Sequence, residues 1–388
     1  MKIMDYDVVV AGAGLAGLAC ACSLTRASVA LVAREFPPAL PADGAFDARV
    51  YAISPGNVAH LERLGVWQRL PEAARAPVYG MRVHGDDGRS VLDFDAYEAG
   101  VSALAWIVED SRLQAALFEI ASARPEVSMH IPAELDRVEA DAAGVNIALG
   151  DGHRLGAKLL VGADGAGSRV RDQAGMSVTE SDYGQMGVVA NFRIARPHRG
   201  VAYQWFQGGP VLALLPLPGD AVSMVWSLPE AEARALLAQP GERVEEAVFN
   251  ATFGALGRLE LIGTPRGFPL RRLRVPHPVS MRVALVGDAA HVVHPLAGQG
   301  MNLGLQDVRS LAEILSRRES GRDPGDGALL RRYARTRAED TLAMDAMVDG
   351  LFRLFGGSGI ARALRNPVLA IANRMPMFKS LMVRQAMS

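Results

Sequence analysis

The stretch Asp7-Val8-Val9-Val10-Ala11-Gly12-Ala13-Gly14-Leu15-Ala16-Gly17-Leu18, near the start of the chain, decides the fold. An apolar β-branched run enters a glycine-rich turn and continues into an Ala/Leu-rich segment, which reads as strand, tight turn, helix. Each glycine has its own physical task. Gly12 permits the turn, Gly14 lets a diphosphate approach the backbone, and Gly17 lets helix and strand pack closely. Ala13, Leu15 and Ala16 complete the loop. The helix N-terminus then faces the diphosphate, and its unpaired N–H groups and positive dipole end hold negative charge without a basic side chain. The pattern therefore implies a bound dinucleotide.

Working outward, Val29-Ala30-Leu31-Val32 reads as a second strand, with Glu35 about where a carboxylate meets a ribose hydroxyl. The strand can equally end at Ala33, which leaves the usual acidic position vacant and Glu35 just beyond it. A loop rich in Pro, Ala and Gly (36–48) leads to Asp47-Ala48-Arg49-Val50-Tyr51-Ala52-Ile53-Ser54. Position alone makes Arg49 a surface arginine at an element boundary. From Val78 to Phe94 the pattern alternates about Asp86-Asp87-Gly88, as in a hairpin. Trp106-Ile107-Val108 leads to Asp110, Ser111 and Arg112 and a helix. Strands are predicted over Met129 to Val138 and Val145 to Leu149. A further strand, Leu159 to Val161, ends in Gly162-Ala163-Asp164-Gly165.

Between Gly187 and Pro269 the character changes to alternating strands (Val188 to Ile194, Tyr203 to Phe206, Val211 to Leu217, Val222 to Leu228) with a helix near Ala231 to Leu237. This predicts an inserted, mostly antiparallel β domain, in which ordinary burial preferences put Tyr203, Trp205, Phe206 and Trp226 in a sheet core. The α/β pattern resumes at Val283-Ala284-Leu285-Val286-Gly287-Asp288-Ala289-Ala290-His291, a strand delivering an acid at its carboxyl end, where open α/β sheets bind ligands. Pro295, Gly298 and Gly300 precede a helix opening near Met301-Asn302, a second positive dipole end. His291 and His294 lack a nearby third ligand, so packing is expected there rather than a metal. Residues 331–388 read as helical. Their last part carries Arg353, Arg362, Arg365, Arg374, Lys379 and Arg384 among apolar residues, which suits a helical cap first and a basic amphipathic surface second.

The expected division is a discontinuous Rossmann-like domain (1–75, 101–180, 270–330), a β domain (76–100, 181–269) and a C-terminal helical region (331–388). At 388 residues the chain can bury a large core. Its 49% hydrophobic content and net charge of −1 exclude a basic nucleic-acid binder. Cys20 and Cys22, the only cysteines, lie two apart on one helix and cannot pair. Acidic residues before the first apolar run and glycines within it oppose a signal or membrane span. A cytoplasmic protein is expected, able to touch a membrane surface. With no second GxGxxG, one dinucleotide is held stably and no separate nicotinamide domain is present.

Three stretches in order, Gly12 to Gly17, Gly162-Ala163-Asp164-Gly165, and Gly287-Asp288-Ala289-Ala290-His291 with Pro295, resemble the FAD signature of single-component aromatic hydroxylases of the para-hydroxybenzoate hydroxylase type. Arg49 to Ser54, Gly209 to Leu217, His294 to Leu305, Asp349-Gly350-Leu351 and the tail ending Arg384-Gln385-Ala386-Met387 most resemble the ubiquinone-biosynthesis hydroxylases within that group. The resemblance implies that Arg49 and Arg112 contact FAD and that Glu35 binds ribose. Asp288 would meet the ribityl or diphosphate region, Asp164 would lie near the diphosphate and a transient nicotinamide site, and Gly298, Gly300, Met301 and Asn302 would edge the isoalloxazine. It implies a substrate floor holding Tyr203, Leu212, Leu214 and Trp226. It implies NAD(P)H as transient donor, O2, a C4a-hydroperoxide on the flavin and a prenylated phenol as acceptor. No side chain is identifiable as an obligatory acid or base.

Rival readings are a hydroxylase of a small aromatic acid, which needs a cation in the pocket (Arg193 and Arg196 are the nearest offered), a flavin reductase acting on prenyl chains, and a flavin-bearing assembly protein of a quinone-biosynthesis complex. A peripheral membrane contact and a homodimer are compatible with all of these.

Overall fold

A computed structural model describes residues 4–41, 45–87, 90–294 and 300–356. In chain order, β1 (Met4–Ala11), α1 (Leu15–Ser23) and β2 (Val29–Val32) form the opening unit. β3 (Val50–Ile53), α2 (Pro55–Arg63), β4 (Ala76–Val78), β5 (Gly80–His84), β6 (Val91–Asp95), the one-turn α3 (Ala96–Ala99), β7 (Ala105–Glu109) and α4 (Asp110–Ser122) follow. Then come β8 (Val127–His130), β9 (Leu135–Ala140), β10 (Val145–Leu149), β11 (Arg154–Gly162) and α5 (Arg169–Gln173). The second half holds β12 (Thr179–Ile194), β13 (Val201–Phe206), β14 (Val211–Leu217), β15 (Ala221–Pro229), α6 (Glu230–Leu237), α7 (Gly241–Ala251) and β16 (Leu259–Arg274). β17 (Val279–Ser280), β18 (Val283–Leu285), β19 (His291–Val292), α8 (Gly300–Ser316) and α9 (Gly327–Gly356) complete it.

The first sheet runs β17-β18-β11-β1-β2-β8, with β10 and β9 branching from β11. Its central pairs, β1 with β11, β1 with β2, β2 with β8 and β11 with β18, are parallel. Parallel strands are covered on both faces and so read as unbroken apolar runs. Here Val8, Val10, Val29, Leu31, Leu159 and Val161 join one core with α1, α4 and α8, and Val9, Ala11, Ala30, Val32 and Leu160 join another with β9 and β10. The alternation is that of the pleat. The stretch expected as one strand from Met129 to Val138 is divided into β8 and β9.

The second sheet runs β19-β16-β12-β15-β14-β13-β5-β6 and is antiparallel except where β13 meets β5. Side chains from one face pack with Ala233, Val244, Val248 and Leu256 of the α6–α7 segment. The other face meets a three-stranded ribbon, β3-β7-β4, through Ala202, Leu215, Leu217 and Ala221 against Val50, Ala52, Ala76, Val78 and Ile107. The ribbon thus joins the two large sheets and carries Arg49 at its edge. The long strand β16 was not expected from sequence, because Gly263, Pro265, Gly267 and Pro269 interrupt its pattern. It pairs with β12 through a register shift that absorbs Gly263 and Pro265, while Gly267 and Pro269 stay in register opposite Val188 and Met186.

Candidate functional site

The glycine loop sits where β1 ends. Gly12 has φ +108°, and a side chain there would lie 2.3 Å from the Ala163 carbonyl oxygen; one on Gly17 would lie 1.8 Å from the Gly12 oxygen. Close packing among the carboxyl ends of β1 and β11 and helix α1 therefore forbids larger residues. Gly14 differs, since a Cβ added there would meet nothing within 4 Å. No side chain caps the α1 N-terminus. Gly14, at the head of the helix, is exposed, the arrangement that suits a diphosphate.

Three other segments close on this point. An added Cβ on Gly287 would lie 3.0 Å from Ala16 Cβ of α1, and one on Gly304 of α8 would lie 3.2 Å from Gly287 Cα. The Gly287–Asp288 turn is thus wedged between two helices. Asp288 is open to solvent yet hemmed in by protein, as on the floor of a cleft. Desolvation raises its carboxyl pKa against the opposing pull of His291 and Arg49. Arg49 lies beside the Tyr51 side chain, and Tyr51, Asp110 and Asp288 hold its guanidinium above the ordinary value while burial acts the other way. Burial, then Asp110, push the Tyr51 phenol up, so it stays protonated across the physiological range. Asp110 is itself raised, chiefly by desolvation.

The loop carrying Arg49 is anchored rather than free. Arg49 N donates to Asp47 Oδ1 (3.1 Å), Ser111 N to Asp47 Oδ2 (3.0 Å), Asp47 N to Glu109 Oε1 (2.7 Å), and Asp110 N to the Arg49 carbonyl (3.0 Å). Arg112 forms an ion pair with the other Glu109 oxygen. Asn302, wholly buried in the first turn of α8, accepts on Oδ1 from Ser54 N (2.9 Å) and Asn57 Nδ2 (2.9 Å), and its Nδ2 donates to Ala52 O (2.7 Å). Its amide is a clamp between α8, β3 and α2.

The second sheet presents two unlike faces. Tyr203, Trp205, Leu212, Leu214, Met224 and Trp226 lie with α6 and α7. Leu212 and Leu214 are fully buried there, and Tyr203, Trp205 and His84 stack in a ladder of rings at 5.7 and 5.2 Å. The alternate residues, Asn191, Gln204, Ala213, Leu215, Ser223 and Val225, point the other way. Ala213 and Val225 are only half-buried although their strands are central, so this face is open beside the ribbon that the half-buried Leu215 packs against. Asn191 and Ser223 are direct cross-strand partners, and Asn191 Nδ2 donates to Asp47 O (3.0 Å), two residues from Arg49. Among the described residues Asn191 Oδ1 and Ser223 Oγ are buried without a hydrogen-bond partner.

Residues 5–346 match a family model described as an FAD binding domain. The chain is 36% identical to the ubiquinone hydroxylase UbiL of Rhodospirillum rubrum, covering 98% of this chain and 89% of that protein. It is 31% identical to the 3-demethoxyubiquinol 3-hydroxylase of Escherichia coli, covering 100% of each. This chain belongs to the FAD-binding family of the ubiquinone hydroxylases. Its fold is shared with p-nitrophenol 4-monooxygenase PnpA of Pseudomonas putida at TM-score 0.81, with 19% identity, covering 100% of this chain and 99% of that one.

The observations in this ubiquinone-hydroxylase family member fit FAD, with an uncapped helix, an open Gly14 face, and Arg49 and Asp288 in one cleft. Of the residues singled out from sequence, Gly12 to Gly17, Arg49, Asp164 and Asp288 come together, and Arg112 reaches the same loop through Glu109. Asp164 spends its carboxylate locally, accepting from Ser168 Oγ (2.5 Å) and Val170 N (3.1 Å) to open α5. Glu35 is exposed beyond β2, which ends at Val32. Gly300 and Met301 are half-buried at the start of α8. Pro295 and Gly298 lie outside the described residues, as does the basic tail beyond Gly356. Asn302, in the first turn of α8, spends its side chain in the clamp. Tyr203, Leu212, Leu214 and Trp226 lie on the sheet face that packs with α6 and α7, opposite to Ala213, Leu215 and Val225. A shift of one residue along a strand reverses every side chain. Tyr51 and Asp110 were missed as members of the Arg49 cluster.

Proposed function

We propose that this chain is an FAD-dependent monooxygenase that hydroxylates the aromatic ring of a polyprenylated phenol in ubiquinone biosynthesis, using O2 and NAD(P)H. The observation that carries the reading is the convergence of the glycine loop, Arg49 with Tyr51, and Gly287–Asp288 beside a half-open apolar sheet face. When bound, the flavin supplies the hydride acceptor and the oxygen chemistry that no side chain can. The first-turn N–H groups of α1 would hold its diphosphate, with Arg49 and Asp288 directed at the polar chain between diphosphate and ring. The N-terminus of α8 would favour negative charge at the ring edge.

Ala213, Leu215 and Val225 would form the substrate floor and exclude water from the reacting atoms. Asn191 Oδ1 and Ser223 Oγ offer one acceptor and one donor for the oxygen substituents of a phenol. This floor also separates the prenylated phenol from a small aromatic acid, which would need a cation there. Arg193 is exposed and paired with Glu260, and Arg196 donates to Gly254 O at the end of the sheet. Among the described residues no helix is long and apolar enough to cross a membrane. We further propose a peripheral contact with a membrane or with other enzymes of quinone biosynthesis, and a homodimer.

The test is the visible spectrum of the purified protein with oxygen uptake and product mass, with NADPH and a prenylated phenol present or absent. Bound FAD with substrate-dependent gain of one oxygen is expected. Flavin that stays oxidised with every phenol would overturn the direct NAD(P)H reaction and favour an assembly role.

A further inference from the structure

Behind the Gly287–Asp288 turn lies a charged cluster shut off from solvent. Asp307 of α8 accepts on Oδ2 from Gly287 N (3.0 Å), with His291 Nε2 at 2.6 Å from the same oxygen. Its Oδ1 accepts from Arg337 Nε of α9 (2.7 Å), whose Nη2 donates to Gln306 Oε1 (3.3 Å). All three charged or chargeable side chains are buried, Asp307 to 1% and Arg337 to 4% exposure. One turn before Arg337, Tyr333 OH donates to the Leu285 carbonyl (2.8 Å), two residues ahead of Gly287. Among the described residues His291 Nδ1 has no hydrogen-bond partner, so the one hydrogen bond of that ring goes to Asp307.

A buried carboxylate between a guanidinium and an imidazole is a costly way to join two helices, and apolar side chains of similar volume would do so at least as well. What the cluster adds is direction. Gly287 has φ +61° and is wedged against Ala16 and Gly304. The N–H that Asp307 takes fixes how the peptide is turned as it leads into Asp288. None of Asp307, His291 and Arg337 reaches the cleft, yet the residue that does is held by them.

We propose that Asp307, locked by Arg337 and His291, is a positioning residue for the flavin. It sets the direction in which Asp288 enters the cleft and so couples helix α9 to cofactor affinity. The inference rests on the FAD reading above.

The experiment measures FAD dissociation and the visible circular dichroism of bound flavin in the full-length protein and in Asp307→Asn, Arg337→Met and Arg337→Lys, beside Leu330→Ala. Leu330 lies on the same helix, buried in the apolar core. Arg337→Met and Asp307→Asn are expected to weaken FAD by about tenfold or more, as loss of an outer partner does at a bound cofactor ion, and to change the flavin dichroism. Arg337→Lys, which restores a charge, should recover most of the affinity. Leu330→Ala should lower the thermal midpoint while keeping wild-type affinity and dichroism. Wild-type FAD affinity in both Arg337→Met and Arg337→Lys, or an equal loss in Leu330→Ala, would overturn the proposal. Failure of the wild-type protein to bind FAD would instead overturn the reading beneath it.

Discussion

The two faces of the second sheet are built from the same strands and similar residue types, yet they are packed differently. On one, Leu212, Leu214 and Trp226 close against α6 and α7; on the other, Ala213, Leu215 and Val225 are left half-buried. Neighbouring residues of β14 thus belong to different physical problems, stability on one side and, under the proposed function, access on the other. The difference lies in the pleat, since side-chain chemistry barely distinguishes them.

The largest effect expected on this contrast comes from Leu214→Ala. Deleting a fully buried leucine should cost about 3 kcal/mol of stability, read by denaturant unfolding, while kcat/KM of the folded fraction stays near wild type. Its neighbour should behave in reverse. Ala213→Trp would fill the open face, and kcat/KM toward a prenylated phenol should fall about fiftyfold, roughly 2.3 kcal/mol, with little change in thermal midpoint. A leucine variant that changes specificity, or a tryptophan variant that does not, would break the assignment of faces.

The third test uses pH. His294 packs edge-on to Tyr183 and lies 3.3 Å from Gln185, and burial depresses its pKa to about 4 from an ordinary 6.5. A folded-state value below the unfolded one means that the unfolded chain takes up the proton first. Stability from this group is full above pH 6.5 and is lost as pH falls toward 4. His60, also at about 4, adds in the same direction. Between pH 7 and pH 5 His294 should contribute a loss of about 2 kcal/mol, and His294→Gln should flatten that part of the stability profile. The smallest effect belongs to Ser223→Ala. Removing a buried hydroxyl that has no partner should leave stability within about 0.5 kcal/mol or raise it, while KM for a phenol bearing ring oxygens rises severalfold. An unchanged KM would remove Ser223 from the floor.

How much was legible in advance follows the same division. The glycine loop could be read because each glycine answers to a separate contact, and the Gly287-Asp288 pair because it ends an apolar strand. The faces of the second sheet could not. Val188-Val189-Ala190-Asn191-Phe192 and Val211-Leu212-Ala213-Leu214-Leu215 are nearly continuous apolar runs, in which the period of two that would assign a face is absent. β16 hid behind prolines and glycines that its bulged pairing accommodates. The Asp307 cluster left a signal that could have been used. Gly304, Asp307, Val308 and Leu311 follow helical spacing, so Asp307 falls on the apolar stripe of α8, where a lone carboxylate requires a buried partner. That partner, Arg337, lies thirty residues on and could be identified only in three dimensions.

The Asn302 clamp bears on how the protein comes to exist in the cell. It joins α8 to Ala52, Ser54 and Asn57, partners 245 to 250 residues earlier in the chain. At ordinary translation rates the amino-terminal strand and its glycine loop leave the ribosome roughly ten to fifty seconds before Asn302 is made. The nascent β1-α1-β2 unit therefore waits, incomplete, for a segment synthesised much later. Until Asn302 is made, the β3–α2 segment lacks the side chain that ties it to α8.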